Sequence, residues 1–285
     1  MDSVGQRTRL LIFLGIVISI SIVVIVIMIY FNNLMKVNKM HFFVVYYGSL
    51  ITEDNPNIKT DEAQKIIQAK PEILILDKYF SNGALNLTPE LNDEFHDAKI
   101  KIVTYVSTNN TGKKLDEVIK EIDKQFSNSK IDGVFIDEVS NISKDSDFNY
   151  YSRIYMHIKA SFGSDKIVIM NPGESVSERI MKISDIVSFE ENWIYSKSIT
   201  WKLHYPSDRF MGISSDEYCN SQNHYYKEFC INNAADATSA TITAWNNGIG
   251  YHFATQKYIE IPDWFNKYVS GLHQVKKKIQ LQFVL

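Results

Sequence analysis

Three places along the chain set acids or an amide at the end of an apolar run. They are Asp137-Glu138 after 131–136, Asn171-Pro172-Gly173 after 166–170, and Glu190-Glu191 after 185–189. Each run has strand length and strand composition. In a parallel sheet the carboxyl ends of the strands share one rim, and acids gathered there can do paired acid–base work. Glycoside hydrolysis uses such a pair: one carboxyl protonates the leaving oxygen, and the other acts as nucleophile or activates water. Crowded like charges raise the pKa of one member, so that it keeps a proton near neutrality. The bland alternative is that adjacent acids merely cap strands or helices. A metal centre would call for histidines beside Asp137 or Glu190, and none flanks them closely. No metal or cofactor is implied.

Alternation sharpens the reading. If Asp137 points into the mouth of a barrel, so do Phe135 and Gly133, and Val134 and Ile136 face the helices. If Glu190 points inward, so do Ser188 and Ile186, and Val187 and Phe189 face outward. Both choices leave apolar side chains against the helical layer. Glu138 lies just past its strand, where a turn can bring it back over the mouth.

The elements that position these residues follow from periodicity. Candidate strands are 41–47, 72–76, 100–106, 131–137, 166–171, 185–190, 209–214 and 249–254, rich in Ile, Val, Phe and Tyr. Their low polar content suits strands buried on both faces. Helical patterns fill the gaps at 60–69, after the Thr88-Pro89 start signal, and at 113–126, 148–160 and 234–245, with a closing helix over 262–278. Eight strands with interleaved helices predict a (β/α)8 barrel, with an open doubly wound sheet as its rival. The short spacing between strands five and six leaves room for only a brief helix.

Ahead of the barrel, 10–31 is a charge-free apolar run, whose polar side chains are Ser19, Ser21 and Tyr30. It is long enough to span a bilayer and longer than a cleavable leader's apolar core. The expected organisation is a tail over 1–9, a transmembrane signal anchor over 10–31, a juxtamembrane linker over 32–40 and the barrel over 41–285. Arg7 and Arg9 before the span face Lys36 and Lys39 after it, so the positive-inside rule is nearly balanced. The short leading tail favours a cytoplasmic amino terminus and an extracytoplasmic barrel. Residues 1–39 carry one acid against four bases, so the rest is more acidic than the whole chain's −3. That argues against a nucleic-acid partner, which needs clustered Lys and Arg.

Aromatic residues suit a sugar cleft, because sugar C–H faces pack on ring planes. Tyr46, Tyr47, Tyr105, Trp193, Tyr195, Trp201 and Tyr251 lie at or near expected rim segments, and ordinary core packing is the alternative for each. Asn171 and Tyr105 are expected to hold substrate hydroxyls or an amino group. His204 and His252 read as structural. Cys219 and Cys230 are placed to close the loop after strand seven as a disulfide outside the cytoplasm, or to stay free thiols if the topology is reversed.

These motifs resemble the spherulation-specific protein family, barrel glycoside hydrolases akin to endo-α-1,4-polygalactosaminidases. The resemblance rests on Thr104-Tyr105-Val106-Ser107, on Gly133-Val134-Phe135-Ile136-Asp137-Glu138, on Asn171-Pro172-Gly173, on Phe189-Glu190, and on Thr255 with Ile261-Pro262-Asp263-Trp264. It runs along residues 42–270. It implies cleavage of a galactosamine-containing polysaccharide, with Asp137, Glu138 and Glu190 as the catalytic acids. Tyr46, Tyr105, Asn171, Trp193, Tyr251 and Thr255 are then the expected substrate-binding set. A non-catalytic glycan-binding barrel at the cell surface is the alternative. No G-x-S-x-G elbow, P-loop or H-E-x-x-H motif points elsewhere.

Overall fold

The computed structural model describes residues 3–37, 40–52, 54–55, 57–77, 87–128, 130–173, 176–189, 199–215 and 230–282. Met40–His273 forms one compact unit; Met1–Lys39 and Gln274–Leu285 form a second.

The first helix, α1, spans Ser3–Val37 and so runs on at both ends past the apolar stretch. No Gly or Pro interrupts 32–37 to stop it. Its 18-residue window Ile12–Ile29 is long and apolar enough to cross a membrane, and none of it is buried. The two serines in this window donate to carbonyls one turn back, Ser19 to Gly15 and Ser21 to Val17, each at 2.9 Å. An apolar helix can thus carry hydroxyls without leaving them unpaired.

The expected eight-stranded barrel is present. The strands are β1 (His41–Tyr46), β2 (Ile73–Leu76), β3 (Lys101–Ser107), β4 (Gly133–Asp137), β5 (Ile167–Met170), β6 (Ile186–Ser188), β7 (Phe210–Ser215) and β8 (Tyr251–Thr255). They pair in chain order and close into a barrel, with every ladder parallel. β1 meets β8 through His41↔Tyr251 and Phe42↔His252.

Helices α2 (Asp61–Ala69), α3 (Pro89–Asp97), α4 (Leu115–Asn128), α5 (Asp145–Phe162), α6 (Ala234–Asn246) and α7 (Phe265–Gln282) complete the fold. Their starts follow local chemistry. Thr60, Thr88 and Asn233 accept the first free N–H groups of α2, α3 and α6, and Pro89 opens α3. Between β5 and β6 there is a single 3-10 turn, Glu178–Lys182, in place of a full helix among the described residues.

Inside and outside separate by alternation. Val134 and Ile136 of β4 share a cluster with Val118 and Ile122 of α4 and with Tyr151, Ile154 and Ile158 of α5. Phe42 packs outward on Phe265 and Tyr268 of α7. Phe43 therefore faces the barrel interior, where its ring lies 6.0 Å from that of Phe253. Phe135, Ile169, Ile186 and Met211 belong with this inner group. Gly133 opens β4 because a Cβ there would lie 2.3 Å from the Ile167 carbonyl oxygen.

Candidate active site at the carboxyl rim

β4 ends at Asp137, and both of its carboxylate oxygens are engaged. The Tyr105 hydroxyl donates to Oδ2 at 2.6 Å, and the Asn171 amide donates to Oδ1 at 2.7 Å. Three neighbouring strands thus converge on one carboxylate. Register brings them together: Tyr105 pairs with Phe135, Ser107 with Asp137, and Met170 with Ile136. The Tyr105 ring also stacks on Phe135 beneath it, 6.2 Å apart. Burial first, then the hydrogen bond to Asp137 and the nearby charge, pushes the Tyr105 phenol above its ordinary range. It therefore stays protonated and keeps donating.

Glu138 leaves the strand with φ +53°, a left-handed turn uncommon for this residue type. Its carboxylate accepts from the Ser107 hydroxyl at the end of β3. Asn109, Asn110 and Thr111 in the facing loop are also left-handed. The two loops are laced together. Thr108 N–H donates to the Asp137 carbonyl, and Asn110 N–H to that of Glu138. Buried Tyr151 of α5 accepts the Ser140 N–H at 2.9 Å and meets the Thr108 hydroxyl at 3.1 Å. The rim backbone around both acids is thus held from the helical layer. Lys113, ion-paired with Glu121, adds a positive charge near Glu138; burial lowers its pKa, with Glu117 and Glu138 pulling the other way.

Further along the rim, the Asn171 Oδ1, Ser188 Oγ and Ser215 Oγ atoms are buried without a hydrogen-bond partner. Ser188 and Ser215 take barrel-facing positions on β6 and β7, and Asn171 follows β5 in the same sense. Buried polar atoms normally find partners, so unpaired ones on neighbouring strands mark a polar interior.

The remaining expected positions divide. Tyr46 shares the outward face of Phe42 and Val44, and its hydroxyl donates to the Ser49 carbonyl at 3.1 Å. Its phenol is raised first by burial and then by Glu62 of α2, which places it on the helix side. Its neighbour Tyr47 joins the mouth instead, with its ring 5.8 Å from that of Tyr105. Tyr251 is a correction as well. It opens β8 rather than ending it, and stacks on His41 at 4.5 Å, at the amino-terminal end of the barrel. Thr255 is fully buried, and its hydroxyl donates to the Lys257 carbonyl at 2.7 Å, closing the turn after β8. Trp201 packs on Phe189 and Phe210, and its indole donates to the Val176 carbonyl.

Glu190, Trp193, Tyr195 and Cys219 lie outside the described residues. Cys230 is disulfide-bonded. His252 is fully buried between the hydroxyls of Ser214 and Thr241, a structural placement. Among the described residues no group of three His, Cys, Asp or Glu side chains is arranged to hold a metal ion.

Spacing did not reveal Ser107, Thr108 or Tyr151. They act through contacts 11 to 43 residues apart in sequence, which no local pattern encodes.

The closed parallel ring of eight strands with its rim of polar residues defines a TIM barrel with a candidate site at the usual face. Residues 86–278 match the model of Spherulation-specific family 4, and the chain belongs to that family. No curated protein matches it in sequence. Similar solved structures include a GH36 α-galactosidase from Geobacillus stearothermophilus in complex with raffinose. It has TM-score 0.51 and 10% identity, over 85% of this chain and 42% of that one. Active domain 2 of a thermostable chitinase from Pyrococcus furiosus, complexed with chito-oligosaccharides, has TM-score 0.50 and 11% identity, over 85% and 95%. The glycoside hydrolase domain of PelA from Pseudomonas aeruginosa has TM-score 0.46 and 10% identity, over 76% and 94%. The likenesses to the α-galactosidase and the chitinase domain are of fold.

Proposed function

We propose that this chain is a membrane-anchored glycoside hydrolase that cleaves galactosamine-containing polysaccharide within the chain. The observation that carries the reading is Asp137, set at the rim with one oxygen held by Tyr105 and the other by Asn171. Fixed donors on both oxygens suit an anion that must keep one orientation while charge develops on the sugar. Asp137 then serves as nucleophile or as the base that activates water. Glu190 is the partner acid that delivers a proton to the leaving oxygen as the glycosidic C–O bond breaks, and water completes the hydrolysis. Glu138 tunes the pair from its left-handed turn, a conformation of the kind that tends to persist at functional sites. Tyr105 and Asn171 position Asp137, a different task from the direct substrate contact expected of them.

Family membership supports the activity and the polymer, through the galactosaminidase-like members that the sequence resembles. The glycosidases named above share only the barrel. An acidic rim suits a cationic polymer. α1 serves as an uncleaved signal anchor, with the amino terminus cytoplasmic and the barrel outside. The disulfide at Cys230 agrees with an oxidising compartment.

The test is a product assay with the full chain in detergent on α-1,4-linked galactosamine oligomers, beside chitin-like and neutral glycans. Shortened galactosamine oligomers are the expected result. Saturable binding without turnover would make the chain a glycan-binding barrel, and neither binding nor turnover would sink the polysaccharide reading. Product stereochemistry then reports the carboxyl separation: retention for about 5–5.5 Å, inversion for about 6.5–9.5 Å.

A further inference from the structure

Tyr151 lies early in α5 and is fully buried. Counting protons orders the hydrogen bonds around its hydroxyl. The Ser140 N–H, 2.9 Å away, can only donate. The Thr108 hydroxyl has one proton. It faces the carbonyls of Asp137 and Glu138, each at 3.0 Å, and these can only accept. Tyr151 therefore donates to Thr108 across 3.1 Å. The bonds run one way, from the Ser140 N–H through two hydroxyls to the carbonyls of the acids, and such chains are mutually reinforcing. The chain begins and ends within 137–140, the segment that carries Asp137 and Glu138.

This segment and the loop that faces it are strained. Among the described residues, seven non-glycine residues have left-handed φ, and five of them lie in these two loops: Asn109, Asn110, Thr111, Glu138 and Ile142. Asparagine tolerates this region; β-branched Thr111 at φ +70° and Ile142 at φ +55° are outliers. Such conformations cost free energy and persist only where the surroundings enforce them. α5 also holds the far end of the facing loop. The Tyr150 hydroxyl donates to the Lys113 carbonyl at 2.8 Å, and the Tyr150 and Tyr151 rings meet edge-on at 5.1 Å.

We propose that Tyr151 is a positioning residue for the acids of the rim: its hydroxyl enforces the left-handed turn after β4, and so aims the Glu138 carboxylate and fixes the backbone of Asp137. It acts through Thr108 and Ser140 and touches no substrate. The kinetic consequence rests on the glycoside-hydrolase reading and the effect on the loops does not, so the experiment separates the two.

The full chain in detergent is assayed on α-1,4-linked galactosamine oligomers as wild type, Tyr151→Phe and Tyr268→Phe. Tyr268 is the matched control: it is equally buried, and its hydroxyl meets that of Thr241 at 2.7 Å between α6 and α7, away from both loops. In Tyr151→Phe, kcat is expected to fall about 10–100-fold with KM within about twofold, as for misplacement of a catalytic group. Tyr268→Phe keeps the wild-type kcat. An unchanged kcat in Tyr151→Phe, a rise in KM alone, or an equal loss in Tyr268→Phe overturns the proposal. Should Tyr151→Phe fail to fold, Thr108→Val breaks the same chain one bond later. It must lower kcat alike, with Thr108→Ser regaining part of the loss, and wild-type kcat in Thr108→Val overturns the proposal. If the wild type cleaves no oligomer, the hydrolase reading falls and amide hydrogen exchange decides, in whichever of Tyr151→Phe and Thr108→Val folds. Faster exchange at Thr108, Asn110 and Ser140 than in the wild type and Tyr268→Phe upholds the hold on the loops; unchanged exchange there overturns it.

Discussion

Asp137 carries two fixed hydrogen bonds, and each can be removed singly. Asp137→Asn should lower turnover of the galactosamine oligomer at least about 100-fold in a folded protein, the lower range for losing a catalytic acid or base. Glu190→Gln should do the same, and near-wild-type turnover in either variant would remove that residue from the mechanism. Tyr105→Phe keeps the ring and deletes one donor to Asp137, so kcat should fall about tenfold or more with KM held. A rise in KM alone would make Tyr105 a substrate contact. His252 gives a different kind of test. Burial holds its pKa down to about 3, against an ordinary 6.5. The unfolded chain therefore takes up a proton below 6.5 that the folded chain refuses. This contribution is complete above pH 6.5 and is lost as the pH falls toward 3, about 2 kcal/mol of it by pH 5. Urea titrations at pH 5 and pH 7 measure it, and His252→Leu should shrink the difference. Much of this scale was legible in advance, because Asp137-Glu138 and Asn171 end apolar runs. The choice of Tyr46 over Tyr47 missed by one residue, and in a strand one residue is the difference between the mouth and the helical layer.

Strand positions were legible because apolar runs rich in Ile, Val and Phe mark both-face burial. Their ends were less so: the run 185–190 becomes Ile186–Ser188 and the run 249–254 becomes Tyr251–Thr255. That second shift moved Tyr251 to the amino-terminal end, since every strand points its carboxyl end at the rim. The lacing of the two loops through Thr108 and Tyr151 had no sequence signal, because it joins residues 43 apart. Close approach at Gly133 was readable as a motif but not as a cause. Gly133→Ala drives a methyl against the Ile167 carbonyl and should cost about 1–3 kcal/mol or more. A urea unfolding midpoint matching the wild type would show that β4 and β5 can separate without penalty.

At the scale of the whole molecule, α1 as an anchor predicts that the full chain stays with membranes after an alkaline wash. Lysine in place of both Ile18 and Ile22 should release it, since each mid-helix lysine costs about 2.5–3.5 kcal/mol on insertion. Retention of the double variant would argue against a spanning role for α1. The closed ring also constrains how the protein is made. The Trp245 indole donates to the His41 carbonyl across 204 residues of sequence, and β8 closes the ladder on β1 only a little later. At about 5–20 residues per second, a ribosome needs roughly 10–40 s to bridge that interval. Throughout it, β1 has an unpaired edge, the kind of surface that recruits foreign strands. The last strand is therefore the step that ends the nascent chain's exposure to misassembly. A ribosome stalled before residue 251 should hold a barrel that chaperones still recognise.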